Sequence, residues 1–128
     1  MRSPQKAVFD KVFEICQNIS DRVHEFLPDA DEQYPFIHLE RADNEEVQNN
    51  DLLGYVTQRI NVWGTRFDGK EVDEIMVKIH DALLRVNDAY QYSISLIDFN
   101  SLYLYDESTG TKLLHLVIEA RFIYNKKG

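Results

Sequence analysis

Val72, Ile75, Met76, Ile79, Ala82, Leu83 and Val86 recur with a helical period and set an amphipathic helix in the middle of the chain. This is the strongest periodic signal in the sequence. Asp68-Gly69-Lys70-Glu71 reads as its capping box, with Asp68 accepting from the backbone and Glu71 reaching back. On both sides the period changes from 3.6 to two. A helix with one apolar stripe, flanked by half-buried strands, has to bury that stripe against a sheet.

A second helix opens the chain. Ser3 can cap free N–H groups, and Pro4 fits a first turn where its missing N–H has no partner. Val8, Phe9, Val12, Phe13, Cys16, Ile19, Val23 and Phe26 form its apolar face, and Pro28 with the acids beyond it ends the helix. Tyr34–Glu40 reads as a strand. Asp43–Asp51 is polar throughout and reads as a loop, longer than a tight hairpin needs. Leu52–Trp63 is a strand with Val56, Gln58, Ile60 and Val62 on one face and Tyr55, Thr57, Arg59, Asn61 and Trp63 on the other. Gly64–Gly69 turns the chain. Tyr92–Tyr105 alternates but slips near Asp98-Phe99-Asn100, which predicts a bulge or bend. Asp106–Thr111 carries hairpin-turn chemistry. Leu113–Tyr124 is the last strand, with Leu114, Leu116, Ile118, Ala120, Phe122 and Tyr124 sharing a face, before a basic tail from Asn125 to Gly128. The expected architecture is α+β: a four-stranded, mainly antiparallel sheet with two helices on one face, in the order α-β-β-α-β-β. Nothing divides residues 1–128, so a single domain is expected, and 128 residues suffice for one core without metals or disulfides.

Charge is segregated. The chain holds 14 Lys and Arg against 22 Asp and Glu, a net of −8. From Asp29 to Asp51 stand eight acids (Asp29, Asp31, Glu32, Glu40, Asp43, Glu45, Glu46, Asp51) and one base, Arg41, a local net of −7. The remainder, 13 bases against 14 acids, is nearly neutral. The balance argues against a protein whose whole surface grips nucleic acid or anionic lipid. It leaves open a plain solvated loop or an anionic surface for a basic partner or a DNA-repelling wall.

Catalytic and metal chemistry find no constellation. There is no Gly-x-Ser-x-Gly elbow and no Gly-rich phosphate loop. Cys16, the single cysteine, sits on an apolar helical face, where it reads as a buried structural thiol. His24, His38, His80 and His115 lack metal-ligand spacing. The pairs Asp73-Glu74 and Glu45-Glu46 are ordinary on solvated surfaces. Tyr90, Tyr92, Tyr103 and Tyr105 lack the interleaved bases of a nucleic-acid platform, and with Trp63 they read as core or subunit-interface groups. No secretion signal and no apolar run of membrane-spanning length is present. A soluble binding or assembly protein in a reducing compartment is the expectation, with no enzyme activity, cofactor, metal or membrane partner.

The chain also resembles the small tail-terminator, or tail-completion, proteins of long non-contractile-tailed phages and prophages. The likeness is carried by Ser3-Pro4-Gln5-Lys6-Ala7-Val8-Phe9, Tyr34-Pro35-Phe36-Ile37-His38-Leu39 and Gln58-Arg59-Ile60-Asn61-Val62-Trp63. It continues in Gly69-Lys70-Glu71-Val72-Asp73-Glu74-Ile75, Ala82-Leu83-Leu84 and His115-Leu116-Val117-Ile118-Glu119-Ala120-Arg121-Phe122. It spans almost the whole chain, though no single motif is diagnostic. It implies a non-enzymatic virion protein, assembled in the host cytoplasm, that caps the finished tail tube as a hexameric ring. Its implied partners are further copies of itself, the tail-tube protein and the head-completion or connector protein. DNA would pass through the channel without specific binding. Asp43, Glu45, Glu46 and Asp51 are then candidates to face the channel or a neighbouring subunit. The alternative from another class is an acidic inhibitor or immunity-type protein covering a basic nuclease surface.

Overall fold

The alternation that begins near Leu52 becomes the spine of the molecule. In the computed structural model, strand β4 (Asn50–Thr65) is paired along its length with β7 (Leu113–Lys126), from Leu53 opposite Asn125 to Thr65 opposite Leu113. The structure describes residues 1–29, 31–47, 50–108 and 110–128, without the side chains of Val47, Asn50 and Asp51. The full order is α1 (Pro4–Gln17), β1 (Val23–His24), β2 (Phe36–Leu39), β3 (Asp43–Val47), β4, α2 (Gly69–Arg85), β5 (Asp88–Ala89), β6 (Tyr92–Asp106), β7.

The expected four-stranded sheet in α-β-β-α-β-β order is therefore wrong. Among the described residues the sheet has seven strands, in the order β1-β2-β4-β7-β6-β5, with β3 pairing β4 beside that path. It is mixed, because β1 runs parallel to β2 while the other pairings are antiparallel. The three strands the sequence hides have physical reasons to be hidden. β1 and β5 are two residues each, too short for any period to show. β3 is an outlying edge strand in which Asp43, Glu45 and Glu46 are exposed, so it shows no apolar alternation. The expected loop Asp43–Asp51 is instead mostly strand: Asp43–Val47 and Asn50–Asp51 form the two arms of a hairpin, while Gln48 and Asn49 lie outside the described residues.

Helix α1 is also shorter than expected. Ser3 caps it, its hydroxyl accepting from the Lys6 N–H at 3.2 Å, and Pro4 occupies the first turn. The helix stops at Gln17, before Asn18-Ile19-Ser20-Asp21, where short polar side chains compete for the backbone. The Ser20 hydroxyl accepts from the Arg22 N–H at 3.1 Å. Val23 thus enters β1 rather than the helical face, and Phe26 is exposed. The α2 capping box does not form either: Asp68 Oδ2 accepts from the Thr65 N–H at 2.7 Å instead of from the helix.

Both helices lie on one face of the sheet and touch each other. Val8, Val12 and Cys16 of α1 and Val72, Ile79 and Leu83 of α2 meet Ile37, Leu39, Ile60, Val62, Leu116, Ile118 and Phe122 of the sheet in one core. The expected inward faces of β4 and β7 are the buried ones. The slip expected near Asp98 is a bulge between Leu96 and Asp98. Of the expected turn, Thr109 lies outside the described residues, Asp106 Oδ1 accepts from the Ser108 N–H at 2.8 Å, and Gly110 takes a left-handed φ of 81°.

One edge of β4 changes partner midway. β2 pairs with residues 60–63 and β3 with residues 54–57. Gln58 stands at this junction, fully buried, and its Nε2 donates to the carbonyls of Glu40 at 2.6 Å and Arg59 at 3.0 Å. That side chain satisfies backbone groups where the ladder is interrupted. Gly54 lets the hairpin sit close: a Cβ there would lie 2.6 Å from the Glu45 carbonyl oxygen and 2.6 Å from the Tyr124 hydroxyl.

Candidate functional site

The sheet face opposite the helices carries the polar residues of β4 and β7. Strand register places Tyr55, Thr57, Arg59, Asn61 and Trp63 there, opposite Ile123, Arg121, Glu119, Val117 and His115. The period-two pattern of Leu52–Trp63 already separated this face. It did not show which strands would lie beside it.

These side chains form a connected network. Trp63 stacks on His115 with centroids 3.8 Å apart and planes 10° from parallel. The Asn61 amide nitrogen donates to Glu40 Oε2 at 2.8 Å, so its Oδ1 is the acceptor 2.8 Å from His115 Nε2, which must carry the proton. Arg59 reaches Glu119 at 3.4 Å and Glu40 at 4.0 Å. Arg121 lies over the Tyr55 ring at 4.3 Å and reaches Glu45 at 3.3 Å. Burial holds His115 below its ordinary value of 6.5, against the opposing pull of Asp106 and Glu40. His38, on β2 beside Asn61, is lowered for the same first reason.

The candidate acids divide between faces. Asp43 lies opposite Thr57 and Glu45 opposite Tyr55, so both join the open face. Glu46 lies opposite Gly54 and alternates to the other side. Asp51 stands in β4, and its side chain lies outside the described residues. The four therefore do not form one bare acidic wall. Asp43 instead joins Glu40, Arg41, Thr57, Arg59 and Glu119 around a shallow groove of about 240 Å³. Counting Asp98, which lies opposite Arg121, and Asp106, the open face presents Glu40, Asp43, Glu45, Asp98, Asp106 and Glu119 against Arg41, Arg59 and Arg121. This is a net-acidic surface with Arg59 and Arg121 already engaged, suited to a mixed-charge protein contact or to letting a polyanion pass.

Sequence reasoning singled out the hairpin acids but missed Glu40, Asn61, Glu119 and Arg121 as one surface. They come from three separate segments, and only the β2-β4-β7 pairing joins them. Among the described residues no group of three His, Cys, Asp or Glu is placed to hold a metal ion, and no helix is long and apolar enough to cross a membrane.

No protein-family model matches the chain, and no curated protein matches it. Among solved structures, a chain of the "Virion of native gene transfer agent (GTA) particle" shares its fold. The TM-score is 0.61 at 13% sequence identity, covering 94% of this chain and 95% of that one.

Proposed function

We propose that this chain is a structural protein of a phage-like particle, without enzymatic activity. The observation that carries the reading is the shared fold with a gene transfer agent virion chain over nearly the whole of both chains.

Within that reading, the finer role is that of a tail terminator. Copies close into a ring, hexameric as the family resemblance implies, on the head-proximal end of the tail tube. The ring then meets the head-side connector around the DNA channel. The open sheet face supports this role. It is net acidic yet internally paired, so it would not hold passing DNA by its phosphates. A closed ring needs two different, complementary surfaces on each copy, and the β3–β4 hairpin, at one lateral edge of the sheet, supplies one of them.

The inhibitor reading is weaker on this geometry. A nuclease-covering surface needs free acids gathered on one face, whereas Glu40 and Glu45 are bound to arginines and Glu46 points to the other side.

Removing the gene from a particle-producing cell tests the role. The expected result is filled heads and tails that are not joined, restored by supplying the chain. Complete, joined particles without it would reject the reading.

A further inference from the structure

The two lateral edges of the sheet are protected differently. An open strand edge invites pairing, and natural edges are commonly blunted with charge. β3 carries Asp43, Glu45 and Glu46 on its five residues. β6 carries no such protection between Asp98 and Asp106. β5 covers β6 only at Tyr92 and Ser93, so from Ile94 to Asp106 its outer side meets no other strand among the described residues. Along that bare stretch Leu102 is 59% exposed, Leu104 43%, Tyr103 41% and Tyr105 61%.

The sequence of this edge is self-complementary. From Asn100 to Asp106 the face away from the helices reads Asn100, Leu102, Leu104, Asp106: polar, leucine, leucine, polar. We propose that residues 100–106 of β6 pair antiparallel with the same segment of a second copy, centred on Tyr103. In this register Leu102 lies opposite the partner's Leu104, and Asn100 opposite the partner's Asp106. Tyr103 meets its own counterpart on the helix side.

Neighbouring registers are worse. Moving the centre to Leu102 sets Asp98 against the partner's Asp106, two like charges face to face. Moving it to Leu104 sets Leu102 against the partner's Asp106. One-residue slips bring the two faces out of phase. The contact is isologous and closes at two copies, with backbone hydrogen bonds supplying a ladder and four leucines covering one another. It describes the free chain and does not rest on the virion reading. A head-to-tail ring would use other surfaces or release this one.

Light scattering after size exclusion, over a concentration series of the full chain, tests the pairing. The expected mass rises from one chain to two. Leu102→Lys with Leu104→Lys should hold the chain at one, with an unchanged circular dichroism spectrum because both side chains face water. A short bis-maleimide should couple Tyr103→Cys to its counterpart and leave Ser95→Cys, outside the paired segment, uncoupled. In the unaltered protein, amide exchange at residues 100–106 should slow with concentration while β3 is unaffected. One-chain mass at every concentration would overturn the proposal. So would a dimer that survives the lysine pair, coupling at position 95 but not 103, or a larger assembly lost with the same variant.

Discussion

Trp63 and His115 stack face to face at 3.8 Å across the β4–β7 pair, and His115 hands its Nε2 proton contact to Asn61 at 2.8 Å. Asn61 in turn holds Glu40 beyond the end of β2. One chain of contacts thus ties β2, β4 and β7 together on the face that no helix covers. Order there comes from stacking and hydrogen bonds rather than from a second hydrophobic layer.

Asn61→Ala should therefore cost more than its size suggests. The side chain is 4% exposed, and its loss removes partners from both His115 and Glu40. The expected loss is about 1–3 kcal/mol, read from urea unfolding midpoints. A loss below about 0.5 kcal/mol, the scale of an ordinary surface substitution, would mean that the network does not order this face.

The two histidines give a pH dependence of known sign. Burial lowers His115 and His38 below 6.5 in the folded chain, so between the folded and unfolded values the unfolded state binds more protons. Their contribution is complete above about pH 6.5, the unfolded value, and is lost as the pH falls below it. Thermal midpoints should drop from pH 7 to pH 5.5. His115→Gln with His38→Gln should flatten that slope; an unchanged slope in the double variant would refute the assignment.

Gly54→Ala should loosen the hairpin. The added carbon collides with the Glu45 carbonyl and the Tyr124 hydroxyl, and the carbonyl belongs to backbone that cannot step aside alone. About 1–3 kcal/mol of destabilisation is expected. Amide exchange should quicken first in β3 and the start of β4. Uniform quickening across the sheet would instead indicate global loosening.

How much of this was legible in the sequence follows from where each residue sits. Val72 through Val86 and Leu114 through Tyr124 face the core, so burial wrote their periods plainly, and α2 and β7 are where those periods put them. β3 lies on an outlying edge, exposes Asp43, Glu45 and Glu46, and is defined by pairing to β4, so Asp43–Val47 looked like a loop. Val23 kept the spacing of α1, but periodicity cannot register that Asn18 to Asp21 break the helix before it. The acidic segment was visible as charge. Its division between two faces, and the capture of Glu45 by Arg121, depend on a strand 76 residues away.

Neutralising the hairpin separates folding from assembly. Glu45 and Arg121 are both substantially exposed, and exposed ion pairs contribute about 0–1 kcal/mol. Asp43→Asn, Glu45→Gln and Glu46→Gln together should move stability by no more than about 1 kcal/mol. If the chain has the proposed tail-terminator role and the hairpin forms one of its ring surfaces, joining of tails to heads should still fall. Normal joining with the triple variant would remove the hairpin from the account.

The central claim, a structural protein of a phage-like particle, is tested most directly by electron microscopy of the purified chain mixed with the tail-tube protein of the particle it is proposed to belong to. The account predicts a ring of this chain seated at one end of each tube, absent when the chain is left out. Tubes with bare ends, and this chain free in solution at every concentration tried, would contradict it.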